Sequence, residues 1–186
     1  MSSPRLRRLA ADYEAIKTRF AGHPYITVYP VGAMPPERYQ IEYRVPGLIQ
    51  QGNQKLGSSV HRVEIRLLTG YPREQPYCIP LTEIFHPNVA QHYCIADYWF
   101  ASTSLADIIG KIGNMIQYKI YEPKSPLNAT AGFWAEQNPS LFPLHGSVEL
   151  GMPEIEIAIS LEPIQISAVD PNPGNHTQTP TGGHNA

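Results

Sequence analysis

The chain has 186 residues, 42% hydrophobic and 10% aromatic, which is enough for one packed domain with length left for a tail. A formal charge of −2 and a pI near 6.4 exclude a global electrostatic pull toward nucleic acid or an anionic membrane. No apolar run approaches a membrane span and the N-terminus carries no signal-type apolar block, so a cytoplasmic protein with no nucleic-acid or membrane partner is expected.

Ser3-Pro4 reads as the cap and first position of a helix. Leu6, Leu9, Tyr13, Ile16 and Phe20 recur at helical spacing, and Gly22 with Pro24 ends the segment. Arg5, Arg7, Arg8, Lys17 and Arg19 occupy much of its remaining surface. Residues 25–29 predict a short strand, and Tyr39, Ile41, Tyr43 and Val45 alternate with polar residues as a half-buried strand does. The polar, Gly-containing stretch 50–59 reads as a hairpin loop. Val63, Ile65 and Leu67 make a third strand, and residues 77–84 a fourth.

From His86 to Thr103 no period is sustained, which predicts an extended loop. Ser104 with Asp107 resembles a capping box for a helix bearing Leu105, Ile108, Ile109, Ile112 and Ile116 on one face. Ser125-Pro126 repeats the start signal of the first helix, so Ser125 is expected to cap a short helix over residues 127–137. Residues 1–144 are thus expected to form one α+β domain, an antiparallel four-stranded meander with flanking helices. Residues 154–162 alternate Ile and Leu with Glu, Ala and Ser, predicting an extra strand within a 145–167 extension. Residues 168–186, rich in Pro, Gly, Asn and Thr, read as a flexible tail.

The chemistry concentrates in His86-Pro87-Asn88 and in Cys94, six residues after Asn88. A thiol accepts an acyl group as a thioester, and a nearby side-chain amide stabilises the oxyanion formed when that thioester is attacked. The other cysteine, Cys78, lies in an apolar run between Tyr77 and Ile79 and reads as a small buried hydrophobe. The two lack disulfide-framework or metal-ligand spacing. His86, His92 and Cys94 fall in one short loop with no partner pair elsewhere, so no metal is expected.

The ordered series of alternating strand, Tyr71-Pro72, Ile84-Phe85, His86-Pro87-Asn88, Cys94, amphipathic helix and Ser125-Pro126-Leu127-Asn128 resembles the ubiquitin-conjugating enzyme family over residues 5–143. The resemblance implies the conjugating-enzyme fold and a ubiquitin-like protein received as a thioester on Cys94 from a cognate activating enzyme. Transfer to an amine follows, with or without a ligase, and no cofactor is required. Asn88 is implied as oxyanion stabiliser or loop brace, with His86 and Pro87 shaping the loop. Asp97 is the acidic candidate beside Cys94, and Ser125 falls where the family faces the incoming lysine. The basic face of the first helix, including Arg5 and Arg8, corresponds to the surface offered to the activating enzyme. Trp99 and Phe100 are the apolar groups of the expected docking surface, while Arg73 replaces an apolar ligase contact. These departures and the tail resemble conjugating-enzyme-like proteins of bacterial ubiquitin-like operons, some linked to phage defence. The competing reading is a non-catalytic module on the same fold that binds a ubiquitin-like protein; such modules typically lack the cysteine.

Overall fold

The computed structural model describes residues 3–151. The expected strand at 154–162 and the tail at 168–186 lie outside the described residues. Helix α1 spans Pro4–Phe20; the Ser3 hydroxyl accepts the Leu6 N–H at 3.1 Å, and Pro4 sits where no intrahelical donor is needed. Its buried stripe is Leu9, Asp12, Ile16 and Phe20, so an acid is packed among the apolar positions.

Four strands fall on the expected segments, β1 (Ile26–Val31), β2 (Arg38–Tyr43), β5 (His61–Arg66) and β6 (Tyr77–Pro80), and β2 shows the expected alternation of burial. They form one antiparallel sheet in the order β1-β2-β5-β6. Tyr39 is paired with Ile65, and Ile65 with Cys78, so alternate residues line one inner face. The outer face carries ion pairs instead, Glu42 with Arg44 and Arg62, and Glu64 with Arg66.

Stretch 50–59 is not a plain loop. Strands β3 (Gly47–Gln51) and β4 (Gln54–Ser58) pair into a separate two-stranded sheet, which interrupts the expected meander between its second and third strands. Gly52, at φ 57°, supplies the left-handed backbone that the turn needs. The fourth strand ends at Pro80 rather than running to residue 84: Leu81 N–H still donates to Arg62 O at 2.8 Å, but the Arg62 N–H then turns to the Thr82 hydroxyl at 2.9 Å instead of a backbone carbonyl.

Helix α2 (Leu105–Ile116) begins as expected, with the Ser104 hydroxyl accepting the Asp107 N–H at 3.1 Å. Nearly all of it is buried against the sheet. Helix α3 (Ala129–Gln137) starts later than predicted: Asn128, not Ser125, caps it by accepting the Ala131 N–H at 3.1 Å. The packed body also continues past residue 144. Leu150 is buried in the main core, so close to Gly113 that a Cβ there would meet its Cδ1 at 2.3 Å. No helix among the described residues is long and apolar enough to cross a membrane.

Asp12 ties three elements together. Its carboxylate accepts the Arg8 Nε–H at 2.7 Å, the Tyr71 hydroxyl, and the Leu105 N–H at 3.2 Å where α2 begins. Asp12→Ala would strand a buried phenol, an amide and a guanidinium together. We expect a loss of about 3–5 kcal/mol, measurable as a shift in urea midpoint, with Asp12→Asn losing less.

Candidate active site

After β6 the chain crosses the end of the β3–β4 hairpin, where Phe85 N–H donates to Leu48 O at 2.7 Å. His86 is then fully buried. Its Nδ1 accepts the Asn88 N–H at 3.1 Å, so Nε2 carries the proton and donates to Ile120 O at 3.1 Å. The ring also packs edge-on to Tyr118, centroids 4.8 Å apart. Tyr118 has φ 59°, in the left-handed region at the end of α2, and its hydroxyl donates to Phe85 O at 2.5 Å. The pair thus locks His86 against the C-terminus of α2.

Asn88 is held on every polar atom. Its Nδ2 donates to Glu122 O at 2.9 Å and Ser125 O at 3.4 Å, and its Oδ1 accepts the Glu122 N–H at 2.7 Å. Pro87 O accepts the Asn128 N–H at 2.9 Å. One tripeptide therefore fixes the whole 120–128 connection that leads into α3.

The short interval to Cys94 closes on itself. Val89 and Tyr93 form an antiparallel bridge, and Cys94 N–H donates to Asn88 O at 2.9 Å. Tyr93 is buried, and its N–H donates to Cys78 O at 2.9 Å, which anchors the turn to β6. A six-residue spacing thus brings Cys94 beside Asn88 without a long loop. Cys94 is half-buried, whereas Cys78 is sealed in the core, where burial pushes its thiol up.

A small cavity of about 40 Å³ joins the site, lined by Asn88, Cys94, Asp97 and Ser125 together with Tyr98, Met115, Ile120 and Glu122. Four residues named from the sequence therefore meet in one place. Asp97 and Ser125 are exposed at it, and Ser125 contributes its carbonyl to Asn88 rather than capping a helix. Tyr98 and Glu122 were not anticipated. Tyr98 lies in a 3-10 turn (Ala96–Tyr98) inside the stretch read as irregular, and its phenol is pushed up by burial and by the negative groups of Asp97, Cys94 and Glu122. Lys111 Nζ stands 4.0 Å over the ring. The only sequence sign of Tyr98 was a tyrosine four residues past the cysteine.

The residues assigned to partner surfaces are placed differently. Arg5 bonds Glu37 and the carbonyls of Leu67 and Leu68 at 3.1 and 3.2 Å. Arg8 bonds Asp12, Ala101 O and Thr103 O, and lies over the rings of Tyr71 and Trp99. Trp99 donates Nε1–H to Pro72 O at 3.2 Å. All three are engaged within the chain, and Phe100 alone of the four is largely exposed, at 68%. Among the described residues no cluster of His, Cys, Asp and Glu is arranged to hold a metal ion.

Two outcomes follow from this bracing. Asn88→Ala leaves the Glu122 amide and two carbonyls without their partner, so it should cost about 1–3 kcal/mol, seen as a lower melting temperature. His86 is held by burial down to about 4 from its ordinary 6.5. Between those pH values the unfolded chain takes a proton that the folded chain refuses, so stability falls as pH falls, by roughly 3 kcal/mol in all. His61 and His23 are shifted in the same direction. Thermal melts across this range should show the loss, with a flatter pH slope in His86→Gln; an equal slope would assign the loss to the other histidines.

No family model matches the chain and no curated protein matches it. Among solved structures it is similar to one described as a "putative ubiquitin conjugating enzyme from Plasmodium yoelii", with a TM-score of 0.55 and 18% identity over 81% of this chain and 95% of that one. At that identity what the two share is the fold, an antiparallel sheet with packed helices.

Proposed function

We propose that this chain is a ubiquitin-conjugating-type acyltransferase, which carries a ubiquitin-like protein as a thioester on Cys94 and passes it to an amine. The observation that supports this most is the shared cavity in which Cys94 lies with Asn88, Asp97, Tyr98, Glu122 and Ser125, on a fold similar to a protein described as a conjugating enzyme. The reaction needs little more than this. Cys94 Sγ attacks the thioester delivered by an activating enzyme, whose own thiol leaves, and a neutral amine later attacks the Cys94 thioester, forming an amide as the C–S bond breaks and the amine's proton passes to the sulfur. Asp97 and Glu122 supply carboxylates that hold an incoming ammonium at the rim, while Tyr98 and Ser125 shape its entry. Asn88 is a positioning residue in this state, because both its Nδ2 hydrogens are engaged. Oxyanion contact requires it to exchange one of those bonds during the reaction.

Phe100 is the exposed apolar group for a ligase or target, and Arg5 and Arg8 act by holding the neighbouring loops rather than by touching the activating enzyme. The sequence departures carry the further reading that the pathway is of the bacterial operon type, in phage defence. The competing reading, a modifier-binding module without catalysis, draws on one feature, the fully engaged Asn88 amide.

Incubation with activating enzyme, modifier and ATP separates the two on a non-reducing gel. A reducible adduct should form with the native chain and with Cys78→Ala, and vanish with Cys94→Ala. An adduct lost with Cys78→Ala, or absent from a folded native chain that still binds modifier, would overturn the enzymatic reading.

A further inference from the structure

We propose that Tyr98 is a catalytic residue, its phenol O–H donating a hydrogen bond to the oxyanion that forms when the thioester on Cys94 is attacked. This rests on the reading of Cys94 as the thioester residue and gives that site the donor it otherwise lacks. Around the cavity most donors are already engaged. The Asn88 Nδ2 hydrogens go to Glu122 O at 2.9 Å and Ser125 O at 3.4 Å. The N–H groups of Asn88, Cys94 and Glu122 go to His86 Nδ1 at 3.1 Å, Asn88 O at 2.9 Å and Asn88 Oδ1 at 2.7 Å. The Asp97 and Glu122 carboxylates only accept, and Met115 and Ile120 offer no side-chain donor. Beside the reacting thiol two side-chain donors remain, the hydroxyls of Tyr98 and Ser125, and Ser125 is exposed. Tyr98 is half-buried, and its hydroxyl has no hydrogen-bond partner among the described residues.

Backbone and ring are both held. Tyr98 closes the 3-10 turn Ala96–Tyr98, where its N–H donates to Ile95 O at 3.0 Å. Lys111 of α2 places its ammonium 4.0 Å over the ring. A cation on that face draws electron density from the ring and strengthens the O–H as a donor. Burial, then the negative charge of Asp97, Cys94 and Glu122, push the phenol up, so it keeps its proton at neutral pH. The two carboxylates also oppose an oxyanion formed there unaided, which makes a fixed neutral donor the chief need of the site. The cavity, about 40 Å³, is close to the roughly 30 Å³ that one water molecule occupies in the liquid, so a carbonyl oxygen entering it displaces solvent. A hydrogen bond made in such a space faces little competition from water.

In the transfer step a neutral amine nitrogen attacks the thioester carbonyl, a C–N bond forms, and the π pair moves onto oxygen. Tyr98 O–H bonds to that oxygen without giving up its proton. The pair then returns to the carbonyl as the C–S bond breaks with its electrons leaving on sulfur, and the proton lost by the amine ends on that sulfur. In the charging step the Cys94 thiolate is the nucleophile, a C–S bond forms to it, and the thiolate of the donor thioester leaves. Tyr98 is unchanged at the end of both.

The test uses the full chain, charged by the N-acetylglycylglycine thioester of 2-mercaptoethanesulfonate, which needs no activating enzyme. Mass spectrometry follows the Cys94 thioester during single-turnover discharge to free lysine, a cation at neutral pH, and to hydroxylamine, which is neutral there. Tyr98→Phe keeps the ring and its Lys111 contact, so the melting temperature should not move. We expect discharge to both nucleophiles to slow by the same factor, roughly 10²–10³. Replacing Tyr98 by 3-fluorotyrosine keeps the hydroxyl and makes it a stronger donor, so below neutral pH, where it stays protonated, discharge should be faster than in the native chain. Native discharge rates in Tyr98→Phe, a loss confined to lysine, or no gain with 3-fluorotyrosine overturns the inference and leaves the proposed function standing. So does finding the loss in Ser125→Ala and not in Tyr98→Phe. Failure to charge Cys94 in the folded native chain sinks both.

Discussion

A buried stretch of backbone without a repeating ladder must find other partners for its N–H and C=O groups, and that requirement shapes everything around Cys94. Between β6 and α2 the chain has one bridge and one 3-10 turn. His86 and Asn88 supply what the ladder would have supplied, reaching 34 residues along the chain to Ile120 and Glu122. The tripeptide is first a device for closing one loop upon another. The cavity beside Cys94 is the space left between the two.

A second group of polar contacts does comparable work at the other end of the loop between β6 and α2. Asp12 and Arg8 connect α1 to Tyr71, to the carbonyls at 101 and 103, and to the start of α2. Arg8 lies over the adjoining rings of Tyr71 and Trp99, so its charge is spent inside the fold rather than displayed. Buried charges of this kind stabilise only when every partner is present. The loop that carries Asp97 and Tyr98 is bounded by these anchors at its far end and by the Asn88 brace at its near end.

The helices and the inner face of the sheet were legible in the sequence because both depend on local period: the stripe from Leu9 to Phe20, the run from Leu105 to Ile116, and the alternation from Tyr39 to Tyr43. The hairpin β3–β4 was not, because its buried residues, Gly47 and Leu48, are adjacent rather than alternating, and Gln50, Gln51, Gln54 and Lys55 around the turn are polar. Ser125-Pro126 misled for a related reason: its side chain offers the right cap chemistry, but the Ser125 carbonyl was already committed to Asn88 and the helix waited for Asn128. Cys94, Asn88, Asp97 and Ser125 could be named from motif order. Glu122 could not, since its nearness to the thiol arises from contacts between distant segments, and Tyr98 could not, since its place depends on a 3-10 turn in a stretch without a period.

The sealing of Cys78 has a bearing on oxidation chemistry. A thiol at a cavity mouth oxidises first to a sulfenic acid, and many redox-tolerant proteins rescue it with a second, resolving thiol that closes a disulfide. Here the second thiol is 1% exposed and packed beneath the turn that carries Cys94. Reaching it would require opening the core. Oxidised Cys94 therefore depends on a small-molecule or partner thiol for its recovery, and without one a further equivalent of oxidant carries it to the irreversible acids.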